Sequence, residues 1–107
     1  MSVVEVKPEG WPRSVRVFYT TRSGGVSSVP YAGLNLAMHV GDQPESVRQN
    51  REALRLALPA GCGISWLDQV HGVEVVAARA GDEPPPAADG QITEEVNLAC
   101  AVLTADC

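Results

Sequence analysis

At 107 residues, 45% hydrophobic and 20% charged, the chain has the composition of one globular domain and excludes the disordered and fibrous classes. Thirteen acidic against eight basic side chains give a formal charge of -5 and a pI near 4.8 without a basic run, which argues against nucleic acid and favours a small ligand or another protein. No charged-then-apolar leader opens the chain, no run approaches the ~18 apolar residues of a membrane span, and Cys62, Cys100 and Cys107 follow no disulfide spacing, so the reading is a cytoplasmic protein with free thiols.

Residues 3–6, VVEV, form a short β-branched run ended by Pro8 and Gly10, the pattern of an edge strand. Residues 15–20, VRVFYT, alternate, with Phe18 adding apolar character to the second face; this predicts a strand with one face fully buried and the other partly so. The strand runs into Thr21, Arg22, Ser23, Gly24 and Gly25. The paired glycines permit positive φ and close approach of a ligand to the backbone, and Arg22 can clamp an anion there; the same residues also read as an ordinary hairpin turn with a solvated arginine. In residues 31–38 the alternation of Leu34, Leu36 and Met38 predicts a short extended piece with Asn35 on the opposite side. His39, just after it, reads as a structural hydrogen-bonding residue.

Asp42, with Pro44 in the first turn and Glu45 three positions on, predicts a capping-box-like helix start. Val47, Leu54 and Leu58, with Ala53 and Ala57, make an apolar stripe, Arg48, Gln49, Glu52 and Arg55 supply the wet face, and Pro59 and Gly61 end the helix. By the same argument Asn50 and Arg51 read as surface polar residues, and Cys62, between two glycines, as incidental. Residues 64–69 and 73–78 predict two strands flanking a tight connection around His71, where an imidazole can project into a cleft, with Trp66 in the core or a pocket wall. GDEPPPAADG, residues 81–90, reads as a mobile surface loop. Residues 98–103 predict a strand buried on both faces; if it stays extended, Cys100 and Cys107 point to opposite faces. About five strands to one helix, in mixed order, give an α+β architecture with a mixed β-sheet.

The reactive candidates are His71 and Cys107, thirty-six positions apart, and their spacing alone is no metal signature. Five blocks add to them in order: TTRSGGVS (20–27), YAGLNLAMHVGD (31–42), the pair Asn50 and Arg51, WLDQVHG (66–72) and TADC (104–107). On these blocks the chain resembles the YfiH-like or DUF152 family, also called multicopper polyphenol oxidoreductases or laccases and regarded as purine nucleoside phosphorylases. The resemblance implies a YfiH/CNF1-like fold, with residues 1–107 as the N-terminal part of a single domain that stops before its second half. It implies a zinc site of His71, Cys107 and a histidine from a later HAGWRG-like segment beyond this chain, three protein ligands leaving the fourth position open. Asp106 reads either as an acceptor that orients a ligand or a substrate amine or as a solvated carboxylate near the chain end. Arg22, Gly24, Gly25 and Asn35 are implied to bind substrate. Copper fits less well, since copper oxidases need clusters of histidines and this chain has two.

The implied activity is phosphorolysis of adenosine, inosine, guanosine and methylthioadenosine, with adenosine deamination beside it. Its partners would be a purine nucleoside, phosphate and a complementary C-terminal chain, without which the 107 residues are expected to be inactive. Two other readings stay open: a non-catalytic half-domain that folds only against a complementary chain, and a cysteine hydrolase using the Cys107 and His71 pair.

Overall fold

The computed structural model describes residues 3–81 and 84–104. The chain falls into two compact units, Met1–Ala57 and Leu58–Cys107. In the first, β1 (Val3–Val6) pairs antiparallel with β2 (Val17–Thr20) in a register running from Val3↔Thr20 to Val6↔Val17. Arg16 closes the ribbon from outside, donating two 2.9 Å hydrogen bonds to the Glu5 carboxylate and lying 5.2 Å from the centre of the Phe18 ring. Neither face of β2 is fully buried: Val17, Phe18 and Thr20 are half-buried and Tyr19 is exposed. A period of two sorts side chains onto faces; it does not provide the layer that covers them.

The helix α1 (Pro44–Ala57) starts with proline at its first position, where the missing N–H has no helical partner to lose. Glu45 in the first turn and Arg55 in the last both suit the helix dipole. It ends two residues before Pro59, which disfavours helical geometry in the residue it follows. Its buried face carries Val47, Asn50 and Leu54; Val47 and Leu54 lie where the periodicity placed them, while Ala57 is exposed and Leu58 falls past the end of the helix. Asn50, expected on the wet face, is instead 1% exposed; it lies three residues from Val47 and four from Leu54, which sets all three on one face. No capping box forms. The Asp42 carboxylate accepts from the Gln43 amide at 2.7 Å and otherwise turns to Ser27 and Asn35. Residues 31–38 form no strand, although Leu34, Leu36 and Ala37 are buried.

In the second unit β3 (Gly63–Ser65) pairs parallel with β6 (Leu98–Cys100), and β4 (Val75–Ala77) pairs parallel with β5 (Gly90–Ile92). The two strands expected around His71 exist but are shorter, are separated by residues 66–74, and pair with other strands rather than each other. A tight turn joins antiparallel neighbours, whereas parallel pairing requires a crossover. The segment read as a mobile loop is in part a structural element: Asp68 donates its N–H to the Pro86 carbonyl at 2.9 Å, Ala88 donates to the Asp68 carbonyl at 3.1 Å, and Ala88 is fully buried. Proline lacks a donor but not an acceptor, so Pro86 takes part through its carbonyl alone. β6 is not buried on both faces; Leu98 and Ala99 are half-buried while Cys100 and Val102 are exposed. Among the described residues its hydrogen-bonded neighbour is β3, along one edge.

The buried apolar side chains of this unit are Ile64, Leu67, Ala78 and Ala88. Beside them the buried Ser65 hydroxyl donates to Gln91 Oε1 at 2.6 Å, and Gln91 Nε2 donates to the carbonyls of Ser65 and Ala101, both at 2.9 Å. Among the described residues, one helix with several short strands in small antiparallel and parallel sheets makes the α+β architecture expected from the sequence. No described helix is long and apolar enough to cross a membrane.

Candidate functional site

In the first unit the glycine loop is sewn to the segment 33–35 by the chain's own groups. Leu34 donates its N–H to the Arg22 carbonyl at 3.0 Å and Ser27 donates to the Gly33 carbonyl at 3.1 Å. Asn50 joins both strands of this loop pair: its Oδ1 accepts from the Val26 amide at 2.8 Å, while Nδ2 donates to Ser27 Oγ at 2.9 Å and to the carbonyls of Gly33 (3.2 Å) and Asn35 (2.8 Å). Gly25 has φ +76°, and a Cβ there would stand 2.5 Å from the Gly33 oxygen and 2.7 Å from Asn50 Oδ1. The close approach that the glycines permit is therefore made by this protein's own backbone.

Arg22 leaves that loop with an exposed side chain. Asn35 points its carboxamide into the loop system, donating to Asp42 Oδ2 at 3.1 Å and accepting from the Ala37 amide at 3.1 Å. The Ser27 hydroxyl donates to the same Asp42 oxygen at 2.5 Å. That bond, then those from Asn35 and the Gln43 amide, hold the Asp42 carboxyl below the ordinary carboxylate range against partial desolvation. Arg51, the other half of the Asn-Arg pair, is half-buried and donates through Nε to the Leu36 carbonyl at 2.9 Å.

In the second unit His71 sits at the apex of the connection between β3 and β4, exposed, with φ +59°. A positive φ costs an L-residue about 1–2 kcal/mol relative to the right-handed region, so the turn needs a restraint. It has one in Asp89: Oδ1 accepts from the amides of Val70 (3.1 Å) and Gly72 (2.8 Å), and Oδ2 accepts from the amide of His71 (2.9 Å). These bonds, that from Gly72 foremost, draw the Asp89 carboxyl below its usual range.

Two residues before His71, Gln69 holds the last described segment: its Nε2 donates to the Leu103 carbonyl at 3.0 Å and its Oε1 accepts from the Leu103 amide at 2.7 Å. A side chain thus copies one rung of a β-ladder. Cys107 and Asp106 lie outside the described residues. Cys107 follows Leu103 by four positions, a span of at most about 14 Å of extended chain. Cys100 is exposed as a residue, but desolvation pushes its thiol pKa up, the opposite of an activated nucleophile. Cys62 donates its thiol to the Gly63 carbonyl at 3.4 Å, and His39 is exposed. Among the described residues no three His, Cys, Asp or Glu side chains gather to hold a metal ion. Sequence reasoning overlooked Asp89, Gln69 and Asn50 as site-shaping residues. The signal for Gln69 and Asn50 was their place inside the blocks WLDQVHG and Asn-Arg; Asp89 was hidden in a segment dismissed for its prolines.

Small antiparallel and parallel β-ribbons, one amphipathic helix and a histidine turn held by an acidic side chain define an α+β protein whose polar side chains shape its loops. The model of the multi-copper polyphenol oxidoreductase laccase family matches residues 16–107, and the chain belongs to that family. It is 47% identical over 98 residues to a purine nucleoside phosphorylase of Pseudomonas aeruginosa, covering 90% of this chain and 38% of that protein. It is 40% identical over 96 residues to the purine nucleoside phosphorylase YfiH of Escherichia coli, covering 90% of this chain and 40% of the relative. Among solved structures, a DUF152 protein of Neisseria meningitidis superposes with a TM-score of 0.85 at 39% identity, over all of this chain and 43% of the other. YlmD of Geobacillus stearothermophilus superposes with a TM-score of 0.62 at 34% identity, over 76% and 34%. The chain therefore spans about 40% of the length of the curated relatives it matches.

Proposed function

We propose that these 107 residues form part of a purine nucleoside phosphorylase, acting on adenosine, inosine, guanosine or methylthioadenosine with phosphate, and able to deaminate adenosine. In that reaction a phosphate oxygen bonds to the ribose C1′, the N-glycosidic bond breaks, and the purine leaves with the bonding pair and takes up a proton. In the first unit, the exposed Arg22 beside Gly24 and Gly25 suits a phosphate, because a guanidinium pairs with two of its oxygens at once. Asn35 would act from the same loop system on the substrate. In the second unit His71 and Cys107 would carry the chemistry. The likeness to purine nucleoside phosphorylases at 47% and 40% identity supports the activity, and the Gln69 carboxamide, which binds the backbone of Leu103 two residues from His71 and four from Cys107, supports bringing that pair together.

The donor chemistry of His71 and Cys107 suits zinc, with a third ligand from outside these 107 residues. Two histidines in the whole chain suit copper oxidation poorly. A complementary polypeptide carrying the rest of the family domain would complete the enzyme. Exposed apolar side chains in the second unit, Val73 at 93%, Val75 at 59% and Ile92 at 67%, fit such a covered face. Base release from inosine in phosphate tests the proposal. The expected result is no turnover by the chain alone and turnover when the complement is added, lost again with His71→Ala. Turnover by the chain alone would refute the need for a complement, and turnover unaffected by His71→Ala would refute the site.

A further inference from the structure

We infer that Asp89 is the positioning residue of His71, a carboxylate that fixes the backbone of residues 70–72 and with it the direction in which the imidazole leaves the chain. The inference deepens the proposed function and rests on the reading of His71 as a site residue.

Three consecutive amides converge on this one side chain, at 3.1, 2.9 and 2.8 Å, so the whole peptide path through His71 is bound to a single acceptor group. Both oxygens are used, and the one that receives the His71 amide is not the one shared by Val70 and Gly72. An acceptor of this kind suits the left-handed conformation at His71, because a turn through that state can bring successive N–H groups to one side.

The acceptor is itself held from both flanks. Immediately before it Ala88 is fully buried and donates to the Asp68 carbonyl; at and after it the amides of Asp89 and Gly90 both donate to the Glu74 carbonyl at 3.2 Å, where β5 begins. The reference frame for His71 is therefore the β4 and β5 ribbon and the Asp68↔Ala87 bridge, not the turn itself. A Cβ at Gly72 would lie 3.7 Å from Asp89 Oδ1, an ordinary van der Waals contact, so the carboxylate does not depend on a glycine there. A site residue supported by fixed polar groups keeps its geometry without reorganising when ligand arrives.

The test uses the 107-residue chain labelled for NMR, with Asp89→Ala and the near-isosteric Asp89→Asn. Amide exchange is read at Val70, His71 and Gly72, and the sign of φ at His71 from its three-bond coupling and Cβ shift. Asp89→Ala is expected to speed exchange of the three amides by about tenfold or more and to move His71 to negative φ, with Asp89→Asn between it and the parent. The ladder amides of Ala78 and Ala101, bonded to Ile92 and Ser65, should keep their protection. Unchanged exchange and φ in Asp89→Ala would overturn the inference. Loss of protection at Ala78 and Ala101 together with the turn, in both variants, would overturn it too, because Asp89 would then hold the unit as a whole and not His71 in particular. The inosine assay of His71→Ala judges the functional reading separately, since neither NMR readout depends on turnover.

Discussion

Asn50→Ala should be among the most damaging polar substitutions in the first unit. Asn50 is 1% exposed and its carboxamide makes four hydrogen bonds, to Val26, Ser27, Gly33 and Asn35. At roughly 1 kcal/mol net for each bond, total loss is worth about 4 kcal/mol. Two corrections lower this figure: Val26 is exposed, so its freed amide can meet water, and Ser27 keeps its bond to Asp42. The Gly33 carbonyl keeps the Ser27 amide as a donor, so the Asn35 carbonyl, reached from the buried helix face, has the least recourse. The expected cost is about 2–4 kcal/mol, a fall in Tm of roughly 9–18 °C for a chain of this size. Urea and thermal unfolding followed by circular dichroism measure it, with an unchanged m-value as the check that the same transition is compared. A loss below about 0.5 kcal/mol, the range of neutral surface changes, would refute the reasoning and mean that the loop pair is held by its backbone bonds alone.

Gly25→Ala must place a methyl 2.5 Å from the Gly33 oxygen and 2.6 Å from Leu34 Cα at φ +76°, so a loss of about 3 kcal/mol is expected in the same unfolding experiment. Gln69→Ala removes both bonds to Leu103 and should cost about 1–2 kcal/mol while speeding exchange of the Leu103 amide. Arg22→Ala, at an exposed position, should leave Tm within a degree or two while raising the KM for phosphate about tenfold in the complemented assay. The Asp42 carboxyl is held below its unfolded value, so its contribution to stability is complete above about pH 4 and is lost as pH falls through the lowered folded value. Tm measured from pH 6 to pH 2 should therefore fall less steeply in Asp42→Asn than in the parent.

What could be read from the sequence was what local rules decide. The edge strand at residues 3–6, the helix with proline in its first turn, and its stop before Pro59 each depend on neighbours within a few positions. Pairing was not legible. Residues 64–69 and 73–78 looked like partners because they are adjacent, yet each pairs with a strand contributed from beyond residue 89, and nothing local encodes that choice. Asn50 and Asp89 were missed for a related reason: a polar residue on a helix face or in a proline-rich segment reads as solvated until the acceptors and donors that meet it are known. His71 itself was legible as a turn histidine, but its positive φ and the three amides gathered behind it were not.

Gln91 gives the second unit a property that neither of its parallel ribbons has alone. Two-stranded sheets are marginal in water, and β3 with β6, and β4 with β5, are each two-stranded. From within β5 the Gln91 carboxamide reaches the Ser65 carbonyl of β3 and the Ala101 carbonyl just past β6. Fraying at either ribbon must then break bonds shared with the other, so the amides of both should exchange through a single cooperative opening rather than two. Gln91→Leu would weaken that coupling, leaving the Arg79 amide on the Ser65 hydroxyl at 3.1 Å as a remaining link.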